Sequence, residues 1–215
     1  MSADDTTETI ETVETVDFYF DPACPWTWLT SRWLVAVAEQ RALDIDWRSL
    51  SLSVINAGRE VPEEHRARMA VSATLHRVMA AMRADGRVDV IGDVYTEYGR
   101  RVHHDQEPPS VELLHEVLTA AGATAWAAAI EADGWDDAVV ESTREACGLA
   151  GPDVGSPVIA VGEPRVAFFG PIVSPPPVGD DALALFDHIV GLAALPGVYE
   201  IKRGRSGPPE FGPRP

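Results

Sequence analysis

The sequence predicts a three-layer α/β fold in which a helical stretch interrupts a small sheet. Three observations carry this: a strand leading straight into a helix and then a second strand, a long middle run of helical segments, and a closing strand–strand–helix segment. The 215-residue chain is 46% hydrophobic, enough for one sizeable core or for one core with an inserted subdomain.

The elements follow in chain order. Residues 1–15 are rich in threonine and carry Asp4, Asp5, Glu8, Glu11 and Glu14 without a base, so they read as a solvated tail. Val16, Phe18 and Phe20 then alternate with Asp17 and Tyr19, as in a short strand. Asp21 and Pro22 break it, and Pro25 opens a helix to about Arg41, with Trp33, Leu34, Val37 and Ala38 at helical spacing. A second strand is expected over Ile45–Val54. Ile45 and Trp47 share one parity there while Leu50, Leu52 and Val54 share the other, which calls for a bulge or burial on both faces. After the turn-rich Asn56–Pro62, the segments 63–85, 90–101, 110–121 and 136–149 read as helices bounded by Gly or Pro. Strands are expected at 157–161 and 165–169, and a helix over 179–195. A βαβ half and a ββα half with helices between them is the thioredoxin plan carrying a helical insertion. The expected division is a tail (1–15), a thioredoxin-like domain (16–55 and 151–215) and a helical subdomain (56–150).

Charge narrows the partners. The formal net charge is −17, from 17 basic and 34 acidic residues, and no arginine-rich stripe tracks phosphates, so nucleic acid and anionic membrane surfaces are poor partners. Apolar runs such as Ala123–Ile130 are too short and too Ala-rich to span a bilayer, and no leader pattern opens the chain. A cytoplasmic location is expected, and a homodimer is left open. Two cysteines, Cys24 and Cys147, make no disulfide framework and suit no zinc site. No G-x-G-x-x-G follows a strand, so no flavin or nicotinamide site is evident, and no metal site is expected.

Cys24-Pro25-Trp26-Thr27 is the sharpest feature. Pro25 at the first helical position makes Cys24 the N-cap, facing unpaired backbone N–H groups and the positive end of the helix dipole. Such a setting can lower a thiol pKa to roughly 3.5–7.5. The alternative is a cysteine packed as a small apolar residue. Cys147 recurs with Val139, Val140 and Thr143 on a helix face and reads as a core thiol. Met69, Leu75, Met79 and Met82 read as core more readily than as a ligand pocket.

The segment Asp21 to Trp33 closely resembles the active-site segment of the actinobacterial mycothiol-dependent nitroreductases, members of the DsbA-like thioredoxin superfamily. Further blocks occur in the family's order: Ser51–Asn56, Tyr95-Thr96 with Gly99 and Arg101–His103, Asp153–Pro157, and Ala167–Pro171. Together they extend from about residue 16 to 212. The resemblance implies that Cys24 is the nucleophile and mycothiol a cosubstrate. It implies that Ser156-Pro157 is a cis-proline segment whose backbone pairs with a thiol substrate, and that Pro25 and Trp26 contribute to binding. It also places Trp28, Asn56 and His103 near the thiol, Trp28 to hold an aromatic substrate and His103 to pair with or protonate a leaving group. Each of these three is equally open to a structural role. The family motif carries a second cysteine where this chain has Thr27. The expected activity is therefore a monothiol cycle on a small electrophile such as a nitroaromatic, or on a mixed disulfide, with Thr27 donating a hydrogen bond to the departing sulfur. Two other readings remain: a kappa-like thiol transferase or isomerase, and a redox-silent binding protein on the same fold.

Overall fold

The computed structural model describes residues 15–215; the expected tail lies outside them except for Thr15, which opens the first strand. β1 (Thr15–Phe20) runs parallel to β2 (Asp44–Ser49) and antiparallel to β3 (Val158–Val161), which pairs antiparallel with β4 (Val166–Phe169). The sheet order is β2-β1-β3-β4. α1 (Pro25–Gln40) joins β1 to β2. Between β2 and β3 lie α2 (Leu52–Ile55), α3 (Glu63–Ala84), α4 (Asp89–Gly99), a π-helical turn (Arg100–His104), α5 (Val111–Ala120), two 3₁₀ turns (Thr124–Ile130 and Asp133–Trp135) and α6 (Asp136–Ala150). α7 (Asp180–Ala193) follows β4.

Strand alternation sorts the side chains into two cores. Val16, Phe18 and Phe20 of β1, with Ile159 and Val161 of β3, enter the larger core beneath α1, α7 and the inserted helices. Trp47 meets Phe18 and Phe20 edge-on at 5.4 and 5.5 Å, contacts that each add about 0.5–1.5 kcal/mol beyond burial. On the opposite face Tyr19, Val158 and Ala160 pack with Leu50, Val154 and the Ala146 side of α6, and Cys147 lies against this smaller cluster. α6, which the sequence groups with the insertion, thus forms one outer layer of the sheet. The stripe Met69, Leu75, Met79 and Met82 is buried core.

The second strand is shorter than expected. It ends at Ser49, and Leu52–Ile55 is a helical turn. The change of parity marks the chain leaving the sheet, not a bulge: Leu50 donates its N–H to Phe20 O at 3.0 Å and turns into the smaller core. The Ala-rich segment at 124–130, which periodicity does not separate from a loop, is 3₁₀.

Candidate active site

Cys24 is the N-cap of α1 with extended backbone (φ −83°, ψ 114°), and Pro25 occupies the first helical position. The position is set by the break before it. Asp21 and Pro22 end β1, and Cys24 N–H closes a turn onto Asp21 O at 3.1 Å. The half-buried Cys24 thiol points at the Ser156 carbonyl, with 3.7 Å between sulfur and oxygen. The Ser156–Pro157 peptide is cis. Ser156 Oγ accepts from Asp21 N–H at 2.8 Å and lies 2.8 Å from Thr27 Oγ1, so the cysteine turn, the first turn of α1 and the proline segment share one hydroxyl. Cys24, Thr27, Ser156 and Pro157 therefore converge on one sulfur.

The electrostatics depart from the expectation of a depressed thiol pKa. Burial pushes the Cys24 thiol up from its ordinary value; the Thr27 hydroxyl and the N–H groups of Thr27 and Trp26 pull it down only in part, and the Asp21 carboxylate adds to the rise. Desolvation of the anion outweighs the helix terminus here. Burial therefore opposes ionisation of the resting thiol.

Asp21 is the element the sequence did not reveal. Its carboxylate is fully buried and accepts from Ala23 N–H at 2.8 Å, Leu52 N–H at 2.7 Å and the Ser72 hydroxyl. His76 Nε2 stands 3.6 Å away, an electrostatic contact longer than a hydrogen bond. Burial alone would raise its pKa, but His76, Ser72 and Leu52 N–H hold it below the usual carboxylate value. Ser72 and His76, four residues apart on the apolar stripe of α3, were the available signal: polar side chains on a core-facing stripe need a buried partner.

His103 is buried and its Nε2 lies 3.0 Å from Pro22 O. A carbonyl can only accept, so the ring is the Nε2–H tautomer. Burial, more than the neighbouring Arg68 and His104, lowers its pKa to about 4, the bond to Pro22 opposing. A ring neutral at pH 7 holds the turn before Cys24, with its one N–H committed to Pro22 O. Between pH 6.5 and about 4 the unfolded chain takes up a proton that the folded chain refuses, so this contribution, of order 3 kcal/mol, is complete above pH 6.5 and lost as pH falls. His103→Gln, which retains a donor near Nε2, is expected to flatten that part of the acid dependence in urea unfolding at pH 7 and pH 5. An unchanged slope would remove His103 from the balance.

The remaining candidates separate. Trp28 is fully buried: its ring stacks on His103 at 5.8 Å and lies beneath Arg32 at 4.1 Å, and its Nε1–H donates to His104 Nε2 at 3.1 Å. It frames the site from behind and offers no open face. Trp26 is the partly exposed indole, covered by Arg205 with 4.5 Å from guanidinium carbon to ring centre. Asn56 caps α2, donates to Leu52 O at 2.9 Å and lines an open pocket of about 520 Å³ with Ser53, Arg59, Arg66 and Met69. No hydrogen bond joins Asn56 to the sulfur. His103, His104 and Asp105 each serve a different partner, and among the described residues no three His, Cys, Asp or Glu side chains gather as a metal would require.

A thiol at the N-cap of the helix after β1, facing a cis-proline segment, on a sheet interrupted by helices, is the arrangement of a DsbA-like thioredoxin fold. The solved structures agree on the fold. The cytosolic disulfide reductase DsbM from Pseudomonas aeruginosa, with GSH, superposes at TM-score 0.55 with 20% identity over 82% of this chain and 99% of its own. The probable DsbA oxidoreductase SCO1869 from Streptomyces coelicolor gives 0.54 with 19% identity over 90% and 96%, and a 2-hydroxychromene-2-carboxylate isomerase 0.53 with 18% over 82% and 94%. Likenesses at this identity establish architecture alone. The chain itself belongs to the Rv2466c-like family, described as mycothiol-dependent nitroreductase Rv2466c, whose model matches residues 23–203. It is also 31% identical over 197 residues to the uncharacterized protein Rv2286c of Mycobacterium tuberculosis (strain ATCC 25618 / H37Rv), covering 89% of this chain and 82% of that protein. Among the described residues no helix is long and apolar enough to cross a membrane.

Proposed function

We propose that this protein is a cytoplasmic monothiol oxidoreductase that uses Cys24 as nucleophile and mycothiol as cosubstrate on a small electrophile or mixed disulfide. The observation that carries the reading is the Cys24 sulfur 3.7 Å from the carbonyl preceding cis-Pro157, where a thiol substrate can lie against the backbone. For a disulfide, the Cys24 sulfur bonds one sulfur as its S–H bond breaks, and the other sulfur is expelled and takes up the proton that Cys24 gives up. A mycothiol thiolate then attacks the bound substrate sulfur and releases Cys24. A second mycothiol converts the resulting mixed disulfide into mycothiol disulfide and the free thiol, so two electrons pass from two thiols to one disulfide. Thr27, whose hydroxyl lies 2.8 Å from that of Ser156, acts as donor to the departing Cys24 sulfur, with Ser156 relaying from Asp21 N–H. The pocket beside Asn56 supports placing the polar body of the thiol there, and Pro25 and Trp26 form the rim. Thr27 occupies the position a resolving thiol would need, and Cys147 packs beneath the other face of the sheet.

Intact-mass measurement with mycothiol disulfide is expected to show one adduct on the wild type and on Cys147→Ser, and none on Cys24→Ser. Thr27→Cys is expected to replace the adduct by an intramolecular disulfide. Full exchange activity in Cys24→Ser would overturn the assignment. The raised thiol pKa favours one second reading, an S-transferase or isomerase that activates the cosubstrate thiol and leaves its own sulfur protonated. Active turnover without a Cys24 adduct would select it.

A further inference from the structure

After α7 the chain continues without helix or strand, and its contacts fall on residues that neighbour Cys24 or hold its turn. Arg205 covers Trp26, two residues beyond the sulfur, and Glu210 N–H donates to Ser174 Oγ at 2.9 Å in the loop after β4. The Phe211 ring lies parallel to His103, at 6.0 Å and 19°, and 5.6 Å from His104. Two arginines clasp the end: Arg214 grips Asp105 with contacts of 2.9, 3.2 and 2.9 Å, and Arg100 donates to Pro215 O at 2.6 Å. Phe211 thus extends a stack of rings, Trp28–His103–Phe211, whose middle member holds Pro22 beside the cysteine. Between 203 and 215 only Pro209 and Phe211 are less than exposed. The attachment therefore rests on one half-buried ring, the Arg205 contact with Trp26, two hydrogen bonds and one solvent-facing ion pair, a kind of contact that is individually weak.

We propose that residues 203–215 are a strap that covers the approach to Cys24, with Phe211 as the residue that selects the electrophile by size. Small planar electrophiles reach the sulfur with the strap seated. Bulky ones react only after Phe211 lifts from His103 and Arg214 releases Asp105. The proposal rests on Cys24 being the reacting sulfur, but its test reads access alone.

In a Cys147→Ser background, Cys24 is labelled with iodoacetamide and with fluorescein maleimide. Phe211→Ala and Arg214→Asp are expected to raise the maleimide rate about tenfold and to leave the iodoacetamide rate within about twofold. The charge swap Asp105→Arg with Arg214→Asp is expected to restore the slow maleimide rate. Parallel rises with both reagents, unchanged maleimide rates, or no labelling of any variant would each overturn the strap. If Cys24→Ser retains full exchange activity, the functional reading falls while the access result stands, so the two failures are distinguishable.

Discussion

Asp21→Asn is expected to destabilise the fold and, in the same molecule, to make Cys24 more reactive. The two effects have different causes. The Asp21 carboxylate gathers donors from the cysteine turn (Ala23 N–H), from α2 (Leu52 N–H) and from α3 (Ser72). An asparagine oxygen can serve the pair on Oδ1, but its NH₂ group then faces Leu52 N–H, donor against donor, in a fully buried site. Leaving a buried donor unmet costs about 1–3 kcal/mol, and a chain of this size then melts roughly 2–4 °C lower per kcal/mol. The same substitution removes the negative charge that helps raise the Cys24 pKa, so the midpoint of iodoacetamide labelling against pH moves down. Mere loosening would give a lower melting temperature with an unmoved midpoint, and that pairing would strip Asp21 of its electrostatic role. The sign at acid pH is also fixed. A carboxylate held below its ordinary pKa stabilises the fold above that pKa and ceases to do so as pH falls through the folded value, so the wild type loses this contribution on acidification and Asp21→Asn has none to lose.

What the sequence revealed, and what it concealed, follows from the range of each interaction. β1 was legible because three alternating apolar side chains lie between breakers, and the N-cap position of Cys24 because Pro25 announces the helix start; Thr27, Ser156 and Pro157 were singled out by the family resemblance, not by local residues. β2 was overrun because Leu50 and Leu52 are apolar for a different reason. Leu50 enters the smaller core after the strand has ended, and Leu52 offers its N–H to Asp21. The Asp21–Ser72–His76 group joins residues 51 and 55 positions apart, and no spacing rule links them. Trp28 shows the limit from the other side: its place in the motif suggested a ligand platform, whereas its ring is fully buried, in contact with Tyr95, His103, His104 and Arg32.

Those surroundings make Gly99→Ala the most damaging single methyl expected in the molecule. Gly99 ends α4 and has ordinary helical backbone (φ −67°, ψ −34°), so conformational freedom does not explain it. Space does: a Cβ there would lie 2.1, 2.2 and 2.6 Å from Trp28 Cζ3, Cε3 and Cη2. The indole cannot yield, because its Nε1–H is bonded to His104, its face is stacked on His103 and its edge meets Tyr95. Overpacking of a rigid core costs about 1–3 kcal/mol and occasionally more, and this contact belongs at the upper end. Gly92→Ala, whose Cβ would come within 2.7 Å of Trp47 Nε1 and 3.3 Å of Cε2, is expected to cost less, since one ring atom and not three lies closer than 3.0 Å. Gly134→Ala, with nothing within 4 Å, is expected to change stability by less than about 0.5 kcal/mol. Urea unfolding of the three variants checks the order; a Gly99→Ala protein as stable as Gly134→Ala would mean that Trp28 is free to move. The consequence reaches the sulfur. The close approach of α4 to Trp28 allows the π-helical turn after Gly99 to lay His103 and His104 across the indole, and His103 then fixes Pro22 two residues before Cys24. A methyl group at Gly99 acts on the thiol through that chain of contacts, so Cys24 labelling in Gly99→Ala is expected to lose its wild-type rate even at temperatures where the variant remains folded.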